Sequence, residues 1–164
     1  YKVKNKNSNN ENNLFEVDSV DGYAMILDKT KFNNIFFDDK IFMYLENDDL
    51  CLRMKKKGEK IFINKNSKIS HLGAKAVNEI YSEQIEYSRN WHWNWSKFYF
   101  RKKHFGFLNA FIDGAPRYFS SILKFIFYLV INNKIKRKIY FNRASGFYNA
   151  LLGKSSWYRP NLEN

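Results

Sequence analysis

Cysteine is nearly absent from this sequence, because Cys51 is the only one in 164 residues. A single thiol cannot form an intrachain disulfide, which fits a protein kept in a reducing compartment such as the cytoplasm. Hydrophobic residues make up 45% of the chain and aromatic residues 19%. This composition is sufficient for a hydrophobic core and excludes global disorder.

A long hydrophobic run is also missing. The longest one, residues 118–131, is interrupted by Lys124 and by two serines. It is shorter than the ~20 apolar residues that a transmembrane helix needs. The sequence therefore predicts no membrane-spanning helix.

Acidic residues are few relative to basic ones, with 16 Asp and Glu against 28 Lys and Arg, for a formal net charge of +12. This charge favours anionic partners: nucleic acid, anionic lipid headgroups or phosphorylated small molecules. Charge alone does not choose between them, and a lysine-rich composition explains it equally well. Residues 1–13 are rich in Asn and Lys and are predicted to form a flexible N-terminal segment.

The clearest helix pattern lies at residues 47–57. Carboxylates crowd its start and basic side chains crowd its end, which matches the helix dipole. Gly58 stands at the position of a C-terminal cap. Leu50 and Met54, four residues apart, give the predicted helix a buried face.

Around this helix the sequence predicts a small α/β part in residues 14–75 and a helical tail in residues 76–164. Residues 15–28 alternate and then become apolar, which predicts a buried strand. The other predicted elements are a short helical turn at 29–34, a strand at 60–64, an extended piece at 67–71 and helices at 78–103, 117–132 and 134–152. A break is expected at residues 113–116, where Gly and Pro favour a turn.

Four acidic or amide residues stand at the start of the helix at 47–57: Glu46, Asn47, Asp48 and Asp49. One interpretation is helix capping, since each carboxylate in a first turn stabilises a helix by ~0.3–1 kcal/mol. The other is a general base beside a sugar pocket, because glycosyl transfer needs a carboxylate to take the proton of the attacking hydroxyl. The local pattern leaves both interpretations open.

An ordered set of motifs surrounds this segment. The set consists of Gly22 in an apolar run, Phe37-Asp38-Asp39, the aromatic residues Phe42 and Tyr44, Glu46-Asn47-Asp48-Asp49-Leu50-Cys51-Leu52-Arg53, Gly58 and His71-Leu72-Gly73. Their order and spacing resemble family 2 glycosyltransferases, most closely the bacterial rhamnosyltransferase-like branch. The resemblance covers most of the chain.

The resemblance implies an α/β fold: the C-terminal portion of a GT-A, Rossmann-like domain, followed by a helical tail rich in basic and aromatic residues. It implies an inverting, hexosyltransferase-type enzyme of bacterial surface polysaccharide or lipopolysaccharide assembly. Such an enzyme moves a sugar from a nucleotide-sugar donor to a saccharide or a lipid-linked saccharide. The family's nucleotide-binding half lies upstream, and no glycine-rich phosphate loop is found here. We therefore expect the 164 residues alone to be inactive.

The resemblance also implies roles for individual residues. The catalytic base falls on Glu46, which we favour, or on Asp49, because the family's usual second acidic residue is Asn47 here. The implied substrate-binding residues are Gly22, Asp38, Asp39, Tyr44, Asp48 and Arg53. Arg53 suits an i,i+4 ion pair with Asp49 equally well. His71 is the implied ligand of a divalent metal, Mg²⁺ or Mn²⁺, with most ligands expected upstream; a lone histidine closing a strand is the alternative.

The tail interleaves tryptophan, tyrosine and phenylalanine with arginine and lysine through residues 89–103. One interpretation is a membrane-surface segment on anionic lipid, which places the enzyme at the inner face of the cytoplasmic membrane. A second is that these aromatic side chains pack on the α/β part as core. A third is a noncatalytic module binding a membrane or single-stranded nucleic acid. No nucleic-acid partner is expected, since no RRM, KH or helix-turn-helix signature is found.

Overall fold

The computed structural model describes residues 13–32, 36–71 and 78–161. Within them the chain is mostly helical with one small sheet, a mixed α and β composition. The elements are β1 (Leu14–Val17), α1 (Glu46–Lys56), β2 (Ile61–Asn64), α2 (Ser82–Phe105), α3 (Phe107–Val130) and α4 (Lys134–Leu151). Single 3-10 turns lie at Lys29–Lys31 and Glu79–Tyr81. Most of the predicted flexible segment, part of the predicted turn at 29–34, and Leu72 with Gly73 lie outside the described residues.

The chain divides into two compact units. The first unit comprises the described residues up to 39 together with 45–71. The second unit comprises residues 40–44 and 78–161.

The sheet of the first unit has two antiparallel strands, in which Leu14 lies opposite Asn64 and Val17 opposite Ile61. The predicted strand at 60–64 is confirmed by β2. The predicted buried strand at 15–28 is wrong beyond Val17, because residues 18–28 form loop and turn and Ile26 is fully exposed. Within the described residues β2 pairs with β1, and no further described strand lies beside the apolar run to accept its backbone hydrogen bonds.

Helix α1 confirms the predicted helix at 47–57 to within one residue at each end. Leu50 and Met54 are buried, as expected for the inward face. Gly58 follows the helix with φ +85°, a left-handed conformation that glycine adopts without strain. Local charge and capping signals therefore sufficed to place this element.

The second unit is built from α2, α3 and α4, which pack on one another. Its core consists of Trp91, Trp95, Phe98, Ala110, Phe147 and Ala150. The indole of Trp91 donates to Ser145 Oγ at 3.1 Å and that of Trp95 donates to the carbonyl of Lys154 at 3.0 Å. The large aromatic side chains of α2 thus form a core within the helical unit itself.

The predicted break at residues 113–116 is wrong, because α3 runs through it with Pro116 inside the helix. Gly114 serves packing instead of a turn, since a Cβ there would collide with the ring of Phe147 on α4. The actual break is Gly106, whose φ of +89° separates α2 from α3. The predicted helices at 78–103 and 134–152 are confirmed by α2 and α4.

Candidate functional site

Glu46 is the first residue of α1, where the helix dipole favours a negative charge. Its Oε2 atom is buried and has no hydrogen-bonding partner among the described residues. A buried polar atom without a partner costs free energy and is uncommon in folded proteins. Glu46 therefore carries a carboxylate oxygen that is not used by the fold.

Gly22 lies against the start of α1. A Cβ at this position would come within 3.5 Å of Asn47 Cβ and 3.9 Å of Glu46 Oε1. Asn47 Nδ2 donates to the carbonyl of Val20 at 2.7 Å, which holds this loop against the helix. A carboxylate at position 47 has no proton to donate at neutral pH, so the amide has a structural role here.

Asp49, in contrast to Glu46, has a carboxylate that is paired within the fold. It is completely buried, and its Oδ2 accepts from Arg53 Nε at 2.8 Å. Arg53 also donates through Nη2 to the carbonyl of Phe36 at 2.5 Å. The i,i+4 ion pair expected from the sequence is thus present, and it ties α1 to the loop that carries Asp38 and Asp39.

The other predicted substrate-binding residues fall in different places. Asp48 is half-buried in the first turn of α1, and Asp39 is exposed. Asp38 is half-buried in the same loop as Asp39. Tyr44 belongs to the second unit, where its hydroxyl accepts from Arg89 Nε at 3.1 Å and its ring meets Trp93 edge-on at 5.5 Å.

His71, the predicted metal ligand, is exposed and stacks on Tyr23 with ring centroids 4.9 Å apart. In the described ranges no three His, Cys, Asp or Glu side chains come together as a metal-binding group. The described residues therefore do not fit a Mg²⁺ or Mn²⁺ ion by themselves. His71 alone would contribute one ligand.

Cys51 lies on the buried face of α1. Burial raises the pKa of its thiol, which keeps it protonated at neutral pH. A protonated, buried thiol is a poor nucleophile. Cys51 therefore belongs to the core and not to the reactive groups.

Each unit contains a cavity of about 740 Å³. The cavity of the first unit is mainly apolar and lies between residues 20–28, α1 and β2. The cavity of the second unit is lined by basic and aromatic side chains of α2, α3 and α4 together with Tyr44. No local sequence pattern marks this cavity, because its walls come from four separate segments. The signal that the sequence does carry is its excess of basic residues, which favours anionic partners.

Helix α3 is unusual in how much apolar surface it exposes. Only Ala110 and Ser121 are buried on it. Its exposed apolar residues are Phe107, Leu108, Phe111, Ile112, Phe119, Leu123, Ile126, Phe127, Leu129 and Val130. None of the described helices combines the length and hydrophobicity required to span a membrane.

Comparisons of the chain with protein-family models, with curated proteins and with solved structures found no match. The features of this chain that bear on function are the geometry of Glu46 and its neighbours, the exposed face of α3 and the basic cavity of the second unit.

Proposed function

We propose that this chain is the acceptor-side, C-terminal portion of an inverting family 2 glycosyltransferase of the GT-A type, with Glu46 as the general base. The observation that carries the proposal is the buried Oε2 of Glu46, which has no partner in the described part of the chain. A carboxylate oxygen left out of the fold's own hydrogen bonds is available to a substrate hydroxyl. The ordered motifs from Gly22 to His71 support the same assignment.

In the proposed reaction, the acceptor hydroxyl attacks the anomeric carbon of the nucleotide-sugar donor. Glu46 takes the hydroxyl proton while the new carbon–oxygen bond forms and the bond to the nucleoside diphosphate breaks. The absence of a side chain at Gly22 leaves room next to the Glu46 carboxylate, with Asn47 the nearest neighbour. The acceptor is a saccharide or a lipid-linked saccharide of bacterial surface polysaccharide synthesis.

Asp49 is the less suitable base. Its carboxylate is buried and paired with Arg53, so taking up a proton would break an ion pair that holds α1 to the loop at residues 36–39. We assign Asp49 and Arg53 a positioning role. A divalent metal, with most of its ligands expected upstream of this chain, stays a prediction.

Nucleotide-sugar turnover tests the proposal. The gene product that contains this chain is incubated with a panel of nucleotide sugars and saccharide acceptors, and nucleoside diphosphate release is measured. We expect release by the intact gene product and none by the 164 residues alone. Turnover by the 164 residues alone would contradict a partial site, and no turnover of any donor by the intact product would favour a noncatalytic scaffold.

The exposed apolar face of α3 supports a second element of the proposal: peripheral binding to an anionic membrane surface. Apolar patches of this extent mark interaction sites. A helix with an apolar face and nearby cations lies in the headgroup region of a bilayer, where anionic lipids attract a basic chain. Such binding would bring the enzyme to a lipid-linked acceptor at the inner face of the cytoplasmic membrane.

Flotation with vesicles tests membrane binding. We expect the chain to float with vesicles containing anionic lipid, and Leu123→Ser to lower the bound fraction. Burying a leucine is worth about 1.5–3 kcal/mol, so membrane partitioning should fall by roughly tenfold or more. Leu152→Ser, at another exposed leucine that lies after α4, is the control and should float like the parent. Equal loss in both variants, or no flotation of the parent, would contradict the proposal.

A further inference from the structure

The cavity of the second unit has the size of a small-molecule site. Its volume of about 740 Å³ lies within the range of roughly 300–1,000 Å³ that is typical of ligand pockets. Its walls come from α2, α3, α4 and Tyr44. The cationic and aromatic side chains of the lining include Tyr44, Arg89, Trp93, Arg117, Lys124 and Arg143.

Four cationic side chains line this cavity, and Glu86 is the one carboxylate among its described lining residues. None of the four cations forms an ion pair with a carboxylate in the described ranges, where the ion pairs involve other lysines and arginines. Four clustered cations outnumber this single carboxylate, so they repel one another and raise the local concentration of anions. The cavity therefore favours an anionic ligand.

Two of the arginines are fixed by neutral partners. Arg89 Nε donates to Tyr44 Oη at 3.1 Å, and Arg143 Nε donates to Oδ1 of Asn90 at 2.6 Å. Asn90 is itself buried and donates to the carbonyl and carboxylate oxygens of Glu86. Each contact uses Nε and leaves the terminal guanidinium nitrogens for a ligand. A fixed guanidinium fork matches the oxygens of a phosphate group.

Aromatic rings complete the walls. Trp93 is half-exposed and meets Tyr44 edge-on. The ring of Tyr140 lies under Lys124 at 5.3 Å and under Arg143 at 5.1 Å, which holds both cations by cation–π contact. Cations beside aromatic walls suit a ligand that combines phosphate with a ring of apolar face, such as a sugar.

We propose that this cavity binds the phosphate or diphosphate group of a phosphorylated saccharide. Arg89, Arg117, Lys124 and Arg143 contact the phosphate oxygens, and Trp93 contacts the saccharide. The binding chemistry does not rest on the catalytic assignment of Glu46, because every lining residue belongs to the second unit. The same phosphate chemistry is offered by a soluble sugar phosphate and by a polyprenyl-diphosphate-linked sugar.

Calorimetric titration of the full chain tests this site, with inorganic pyrophosphate as the first probe. We expect saturable binding at one site, and Lys124→Gln and Arg143→Gln should each weaken it by about tenfold, as expected for loss of a charge-assisted hydrogen bond. Lys154→Gln and Arg137→Gln make the same charge changes outside the cavity. Because they alter only the long-range field, their affinity for pyrophosphate should stay within about twofold of the parent's. Lys124 is exposed, so its variant tests the site even if Arg143→Gln fails to fold.

Further probes distinguish the sources of the phosphate. A hexose 1-phosphate that competes with pyrophosphate supports a soluble ligand, and a short polyprenyl diphosphate that competes more strongly supports a lipid-linked one. Equal weakening by all four variants would mean diffuse charge and would overturn the site, as would the absence of saturable binding. Single-stranded RNA that displaces pyrophosphate with a steep salt dependence would assign the cavity to nucleic acid and overturn the proposal.

Discussion

At the scale of single residues, two carboxylates three positions apart in one helix have acquired different environments. Glu46 keeps a buried oxygen without a described partner, whereas Asp49 is enclosed and paired with Arg53. Environment separates the roles of neighbouring carboxylates in many active sites. Here it separates a candidate base from a positioning residue.

Replacing Asp49 should affect stability. We expect Asp49→Asn to lower the free energy of unfolding by roughly 1–3 kcal/mol, because Arg53 would lose its buried charged acceptor. Urea unfolding of the full chain measures this. Glu46→Gln is the comparison and should change stability by less than about 1 kcal/mol, since it removes no described contact. Equal destabilisation by both substitutions would contradict the difference in roles.

Local sequence patterns predict some contacts of single residues and not others. The Asp49–Arg53 pair was predictable, because i,i+4 spacing places both side chains on one face of a helix. The contacts of His92 were not predictable, because its ring nitrogens contact Ser156 Oγ at 2.9 Å and the carbonyl of Tyr158 at 2.8 Å, 64 and 66 residues away. Burial lowers the pKa of His92 and keeps it neutral within the core. Contacts at such sequence distances leave no periodic signal.

At the scale of elements, the sequence predicted α1, α2 and α4 because their charge, capping and periodicity signals are local. The structural roles of two glycines could not be predicted from such local signals. Gly114 and Pro116 predict a break, yet helix packing against Phe147 explains the glycine. The actual break is Gly106, which has no proline beside it to mark a turn. The strand expected at 15–28 is wrong beyond Val17 for a related reason, since a strand requires a partner that its own pattern does not reveal.

Gly146 tests the packing of the helices. A Cβ at this position would collide with the backbone carbonyl of Trp91, so α2 and α4 would have to separate. We expect Gly146→Ala to lower the free energy of unfolding by about 2 kcal/mol or more, as overpacking against rigid backbone does.

Thermal or urea unfolding gives the measurement, with Ser155→Ala, at an exposed position, as the control. An unchanged or increased stability of Gly146→Ala would mean that the close approach of α2 and α4 is not required.

At the scale of the whole molecule, part of the net charge of +12 is concentrated at one place on the surface. Four of its cations gather around the cavity of the second unit, while the apolar face of α3 stays exposed. Composition predicts a hydrophobic core and anionic partners, and the anionic partners stay a prediction. The aromatic side chains of α2 divide between a core inside the second unit and the wall of the basic cavity. Trp91, Trp95 and Phe98 form the core, and Trp93 lines the basic cavity. The sequence could not make this division, because it follows from which face of α2 meets α4.

The most direct test of the proposed transferase is the turnover number of Glu46→Gln in the gene product that contains this chain. Removing a general base should lower kcat by roughly 10²–10⁴-fold. The matched control is Glu79→Gln, at an exposed glutamate of the second unit, which should keep parental activity. Folding of both variants is checked by their unfolding midpoints. A Glu46→Gln enzyme with parental kcat would contradict the account and return Glu46 to the role of a helix-start carboxylate.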